Sequence, residues 1–414
     1  MTTEHRDRER ISLIKDALHR DGADALVVSL PRHVLMLTGY YPVVGTSIAI
    51  CTREGHVGLI APEDENAFAQ QGWADSIQYF HPASLDNLQS VTASAVAALK
   101  SLASETQMAV AVLAIESGPS SEPATYSAMN LYGAELQRIV ADAFPPARLV
   151  AAKDMLSQLA AVKTPAELSR IRLACSVAAS GFEAGRAGIA PGISEIDLAS
   201  YFTAQFASAA ASAAIDRQHA FLYSMSGPNS ARAYYAYAHS RSRKLGRNDS
   251  VLVHCNSQVG GYWTDITRTY FLGQPSAEDQ SVRQAVLEAR DAAIAAVKPG
   301  AKASDVDAAA RNVIAKHGFG DGFKHATGHG VGFGAIDAHA LPRIHPKSDD
   351  VLEPGMVFNI EPAVYRDGIH GVRQCEMVAV TSSGVELLTP FQSGTEALQI
   401  TPAEAPPSRR TKAG

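Results

Sequence analysis

The stretch Gly260-Gly261-Tyr262-Trp263-Thr264-Asp265-Ile266-Thr267-Arg268-Thr269-Tyr270 decides how the rest of the chain is read. Just before it, Val251 to Val253 are apolar and β-branched, and Ile266 to Phe271 share that character. Both segments favour strands. Gly260 and Gly261 supply a permissive backbone between them, so a β-hairpin is expected. Asp265 then opens the second strand, and the two-residue period sets Thr267 and Thr269 on its face. An aspartate leaving a glycine-rich turn can serve the turn alone, through an Asx bond. The His and Glu motifs downstream give it a second reading, as a ligand.

In His325-Ala326-Thr327-Gly328-His329-Gly330-Val331-Gly332 two imidazoles lie four apart. The three glycines argue for a loop or the start of a strand rather than a helix, and they let backbone approach a metal or substrate closely. Pro354 to Pro362 reads as a turn feeding an apolar strand that ends in Glu361. A carboxylate there is rarely buried without a partner. Gly371-Val372-Arg373-Gln374-Cys375-Glu376 leads into a strand from Met377 to Val380. Asp, His and Glu from three separate strands are the ligand types of a catalytic divalent metal. An open position on such a metal lowers the pKa of bound water and makes a nucleophile at neutral pH.

A chain of 414 residues is long for one domain, and two are expected. With 46% apolar and 19% charged residues it has the composition of a soluble globular protein. Lys+Arg 36 against Asp+Glu 42 is mildly acidic, which excludes a nucleic-acid or anionic-membrane surface as the natural partner. No apolar run reaches the roughly 18 residues of a membrane span. Met1 to Arg10 is highly charged and lacks the apolar run of a signal peptide. Cys51, Cys175, Cys255 and Cys375 are widely spaced, so free thiols and a cytoplasmic location are expected.

From about Ile11 to Val150 helix-like and strand-like segments alternate. Ile11, Ile14, Ala17 and Leu18 form a helical stripe, and Ala25 to Val28 a short buried strand. Further strands are expected at Ser47 to Cys51, Val57 to Ile60 and Met108 to Ile115, with a helix at Val91 to Leu102. Nothing in this α/β unit forms a catalytic constellation, and its role is a supporting one. A new unit starts near Lys163-Thr164-Pro165-Ala166-Glu167, where Thr164 is an N-cap, Pro165 fits the first helical position and Glu167 completes a capping box. The helix that follows carries Leu168, Ile171, Cys175 and Ala178 on one face. A weak repeat marks this unit: Pro191-Gly192 leads to Glu195 and Asp197, and Pro299-Gly300 leads to Asp305 and Asp307. Each copy reads as a helix ending at a Pro-Gly turn, followed by a helix with acidic residues in its first turn. The expected division is 1–158 for an amino-terminal α/β domain, 159–402 for a pseudo-symmetric α/β (α+β) catalytic domain, and 403–414 for a disordered tail.

These motifs together resemble the pita-bread enzymes, which include methionine aminopeptidase, aminopeptidase P, prolidase and creatinase. His33 to Tyr40 is similar to a motif of the amino-terminal domain in the aminopeptidase P and prolidase branch, and Lys163 to Glu167 is similar to the start of the catalytic domain. In the metallopeptidases of that family two Asp, one His and two Glu hold two metal ions. Asp265, His329 and Glu361 match three of these positions. The first Asp falls on His254, and the last Glu falls on Cys375, two after Arg373. Glu376 is one further, and alternation turns it to the opposite face unless a bulge intervenes. The His that precedes the first Asp falls on Tyr234, with His239 close by, and a later His corresponds to His339.

Losing an Asp and a Glu removes two charges that a pair of dications needs, so one metal is expected, or none. His254, Asp265, His329, Glu361 and Cys375 are the candidate ligands, and the softer His and Cys favour Zn or Fe over Mn. The resemblance implies a hydrolase cleaving a C–N bond, in an Xaa-Pro peptide or a small amide or amidine. His254, His325, His339 and Tyr234 are its acid–base candidates, and Arg373 a candidate to bind a substrate carboxylate. A metal-free creatinase-like hydrolase, a lyase on the same fold, and a non-catalytic binding descendant are the other readings. The resemblance also implies a homodimer.

Overall fold

The computed structural model describes residues 6–43, 47–81, 85–86, 88, 90–108, 110–116, 133–234, 238–335 and 340–401. His339 and the tail from 403 lie outside the described residues.

The amino-terminal part begins with α1 (Arg8–Asp21), whose stripe Ile11, Ile14, Ala17 and Leu18 is buried. It then runs through β1 (Ala25–Val28), α2 (Pro31–Thr38), β2 (Ile48–Thr52), β3 (Val57–Pro62), α3 (Asn66–Ala69), β4 (Ser76–Phe80), α4 (Val91–Glu105), β5 (Val112–Ile115), α5 (Ala134–Ala143), β6 (Arg148–Ala151) and α6 (Lys153–Ala161). Six strands form one mixed sheet in the order β4-β3-β2-β1-β5-β6. The strand expected from Met108 starts only at Val112. Residues 106–108 instead finish α4: the Met108 amide donates to the Ala103 carbonyl at 2.9 Å, and Gln107 takes a left-handed φ of 51°.

The second half opens on α7 (Pro165–Gly185), and Thr164 and Glu167 form the reciprocal capping box. Its partner is α8 (Glu195–Ser212); a second helix pair, α9 (Ala277–Ala296) and α10 (Ala303–Lys316), follows later. The repeat in the sequence corresponds to a matched pair of turns. Gly192 N–H donates to Leu245 O and Leu245 N–H to Ile193 O; Gly300 N–H donates to Leu352 O and Leu352 N–H to Ala301 O. Each turn thus ties its helix pair to the segment feeding a site strand.

Those strands are β7 (Gln218–Ser226), β8 (Ser250–Val259), β9 (Tyr262–Leu272), β10 (Gly328–His329), β11 (Arg343–Ile344), β12 (Val357–Ile360), β13 (Ala363–Arg366), β14 (His370–Arg373), β15 (Glu376–Val380), β16 (Val385–Leu387) and β17 (Gln399–Ile400). The main sheet is ordered β17-β9-β8-β7. Gly260 and Gly261 have φ of 56° and 91°, the two positive values a two-residue hairpin turn demands. Because the turn needs only these two residues, Asp265 is the fourth residue of β9 and does not open it. Isolated bridges link β9 to the later strands and those strands to one another. Cys375 N–H donates to Thr267 O at 3.1 Å, and Gly330 bridges Phe358. This is the pita-bread architecture, preceded by an α/β unit.

Candidate functional site

Strand register builds the site. On β8 and β9, His254 lies opposite Thr267 and Asn256 opposite Asp265. Their side chains share one face with Tyr223 of β7, which pairs with His254. Glu361 follows β12 immediately, and its N–H donates to Thr327 O at 2.7 Å. His329 sits on β10, where its N–H donates to Asn359 Oδ1 at 2.7 Å. Gly328 makes that approach possible, because a Cβ there would stand 1.9 Å from Asn359 O.

Asp265, Glu361 and Cys375 each present a donor atom within 4.8 Å of the others. His329 Nε2 lies 3.5 Å from Asp265 Oδ2, and its Nδ1 is 3.1 Å from Gly330 O. An Nδ1–H donating to that carbonyl leaves the Nε2 lone pair toward Asp265, where the Asn359 amide also reaches it at 3.4 Å. Cys375 Sγ is 3.7 Å from Asp265 Oδ1 and turned inward. Glu376 points the other way, into a buried pair with Arg268 at 2.8 Å and a hydrogen bond from Thr389 at 2.6 Å.

His254 is close to Asp265, at 3.7 Å, but both its nitrogens are engaged. Nδ1 accepts from Arg373 at 3.0 Å and lies 2.9 Å from the Thr267 hydroxyl, while Nε2 is 3.0 Å from Asn256 Oδ1. One tautomer satisfies all three, with the proton on Nε2. Burial, reinforced by the Arg373 charge, holds the imidazole pKa well below its ordinary value. His254 is therefore neutral, and the lone pair it could offer a metal is already used.

Arg373 spends its fork on the protein. Nε donates to Thr267, Nη1 to Ala233 O and the Tyr365 hydroxyl, and Nη2 to the Tyr223 hydroxyl and His254. All five N–H groups have acceptors, so no bidentate face remains for a substrate carboxylate. Its charge still reaches Glu361, 3.9 Å away. Tyr223 also stacks on His254 with ring centroids 4.7 Å apart.

His325 Nε2 is 2.9 Å from the Tyr365 hydroxyl, and its Nδ1 is 2.8 Å from Ala326 O. Burial lowers its pKa. Tyr234 packs its ring 5.2 Å from Tyr365, at the rim of the same cluster. His239 is exposed, in an open groove beside Tyr223.

Burial raises the Asp265 pKa, opposed by the charges of His329 and Arg373. Burial also pushes the Cys375 thiol far up, with Asp265 and Glu361 adding to the effect. Two carboxylates and an inward thiol could hold one cation, with the His329 imidazole beside Asp265, and such an ion would offset these penalties together. For a second cation His254 would have to turn its Nδ1 from the Arg373 guanidinium, which it faces at 3.0 Å.

No motif marks Tyr223, Tyr365 and Asn359, which orient the others from separate elements. Asn256 was within reach of reasoning, two residues beyond His254 on the same face. Its Nδ2 is buried beside the Asp265 carboxylate and opposes the rise that burial gives that carboxyl's pKa.

Residues 169–382 match the metallopeptidase family M24. The chain belongs to that family. M24 relatives include a putative dipeptidase, YkvY, of Bacillus subtilis (strain 168), 33% identical over 245 residues, which are 59% of this chain and 65% of the relative. An Xaa-Pro dipeptidase of Pyrococcus furiosus is 33% identical over 246 residues, 57% of this chain and 65% of that one. The match thus spans just under two thirds of these curated relatives. The crystal structure of dipeptidase PepE from Mycobacterium ulcerans superposes with a TM-score of 0.72 at 26% identity, covering 95% of this chain and 97% of that one. The M24 membership agrees with the pita-bread resemblance in the sequence, and metal use is a property of the family name itself.

Proposed function

We propose that this M24 protein is a hydrolase that cleaves a C–N bond in a short peptide or small amide, using one divalent metal. The observation that carries the reading is the convergence of Asp265, Glu361 and Cys375 donors within 4.8 Å. Asp265, His329, Glu361 and Cys375 would hold the ion, with Zn or Fe preferred over Mn because a thiol and an imidazole are among the ligands. Such an ion supplies a water of lowered pKa and polarises the carbonyl. Around it, the chain's own groups have definite work. Asn256 Nδ2, a buried donor beside the Asp265 carboxylate, helps keep that ligand charged against the effect of burial. His325, neutral with its Nε2 toward Tyr365, can take the proton lost by the attacking water and return it to the leaving nitrogen. Arg373 fixes Tyr223, Tyr365, His254 and Thr267 at once and sets the positive field beside Glu361.

The dipeptidase names of the relatives support a peptide substrate, and the altered ligand set supports a small amide or amidine equally. A cytoplasmic location is supported by four buried free thiols, and no described helix is long and apolar enough to cross a membrane. A homodimer and the division into 1–158 and 159–402 remain part of the proposal.

Metal content per subunit, measured on protein purified without chelator or nickel affinity, tests the reading. About one equivalent of Zn or Fe, with activity lost on chelation, is the expected result. Two equivalents would restore the dinuclear peptidase. A metal-free protein that is active would move the chemistry to His325 and Asp265 alone, a reading favoured by the way Cys375 Sγ already contacts Asp265.

A further inference from the structure

At the far end of the β8–β9 hairpin from the catalytic donors, a crevice of about 400 Å³ separates the amino-terminal part from the second half. Gly260 lies in its wall, and five residues of extended strand put Asp265 about 16 Å away. Leu35, Tyr41, Phe68, Leu173 and Val259 give the crevice an apolar lining. Arg217 stands among them. Its guanidinium lies 5.0 Å from the Phe68 ring centroid and 5.6 Å from that of Tyr41.

Arg217 is half-buried, and burial lowers its pKa. The cation has lost hydration, yet among the described residues its head makes no hydrogen bond and no ion pair within 4 Å. The carboxylate closest in kind is already used: Glu65 accepts from the Tyr40 hydroxyl and from Val43 N–H. Asp216 beside it is exposed, and Arg170 adds a second positive charge to the lining. Both rings are within cation–π reach of the guanidinium, which lines the open space with its N–H groups unclaimed by any described acceptor. A planar fork whose N–H donors are unused matches a carboxylate.

We infer that this crevice binds a small organic carboxylate with an apolar or aromatic body, its carboxylate on Arg217 and its body on the Leu35, Tyr41 and Leu173 wall. The site is separate from the catalytic one and stands whether or not the proposed hydrolysis is correct. Crevices between packed units, mostly apolar with a few convergent polar groups, are where small ligands settle.

Hippurate, which joins a phenyl ring to a carboxylate, is the probe, with neutral hippuramide as its control. Calorimetric titration is expected to give saturable hippurate binding below about 1 mM. Hippuramide and the Arg217→Gln variant should each bind at least about tenfold more weakly, the range of one charge-assisted bidentate contact. Leu173→Trp changes a partly exposed side chain and fills the crevice while leaving Arg217 in place, so it should also block binding if Arg217→Gln does not fold. Asp265→Asn should bind hippurate as the wild type does. Loss of binding in Asp265→Asn but not in Leu173→Trp would place the ligand in the catalytic site and overturn the inference. Equal affinity for hippurate and hippuramide, or no binding at millimolar concentration, would overturn it as well.

Discussion

Cys375 and Glu376 differ by one position and by everything else. Cys375 continues the inward alternation through Arg373, while Glu376 is locked in a fully buried pair with Arg268. A slip by one residue would bury Glu376 without its cation and break the pair, at a cost of about 3–5 kcal/mol. The register is thus held from the helix side, away from the chemistry. Restoring a carboxylate by Cys375→Glu should not by itself give a second metal, because His254 Nδ1 still faces the Arg373 guanidinium. The double change His254→Asp, Cys375→Glu should do so, since an aspartate there can take the guanidinium with one oxygen and a metal with the other. Metal analysis of the single and double variants checks this: one equivalent against two. A second equivalent in the single variant would mean that the imidazole releases Arg373 on metal binding.

Elements differ in how openly the sequence declares them. The hairpin was legible because two glycines sit between β-branched runs, and α7 because its capping box is local. β4 and β6 were not, since Ser76–Phe80 and Arg148–Ala151 are short and only partly buried, and their alternation is weak. Of the site, the residue types at 265, 329, 361 and 375 could be read in advance. The engagement of His254 and Arg373 could not, because it depends on Tyr223, Tyr365 and Ala233 arriving from other elements. β10 is the extreme case, a two-residue strand whose existence rests on Gly328. Gly328→Ala would drive a methyl into the Asn359 carbonyl, and the backbone carrying His329 must move away. A loss of about 2–4 kcal/mol in urea unfolding is expected, with metal affinity falling alongside. Stability lost with metal affinity unchanged would show that His329 is not a ligand.

At the scale of the whole molecule, the two halves are joined where α1 meets the start of α7. Arg10 is fully buried, donates to both Glu167 oxygens and to the carbonyls of Leu159 and Val162, and sits beside Asp7, which accepts from Thr164 at 2.5 Å. One guanidinium therefore links α1, the end of α6 and the capping box of α7. Arg10→Met leaves Glu167 charged and buried, and should cost about 3–5 kcal/mol; Arg10→Met with Glu167→Gln should recover part of it. Lys163, next to this cluster, has the opposite problem. Its ammonium is buried, donates among the described residues only to Ala161 O at 3.1 Å, and burial pulls its pKa down to about 7 despite the attraction of Glu167. The unfolded chain keeps the ordinary lysine value of 10.5. Below about pH 7 both states hold the proton, and the fold carries the full penalty of a buried charge. Between about 7 and 10.5 only the unfolded chain binds it, so stability must rise with pH across that window. The rise is bounded at about 4–5 kcal/mol, from 1.36 kcal/mol per unit. Lys163→Met should flatten it, making the variant the more stable protein at pH 6.5 and removing most of its advantage by pH 9.5. Urea midpoints of the two proteins at those two pH values decide the matter. Parallel curves would mean that Lys163 keeps its proton inside the fold, held by Glu167.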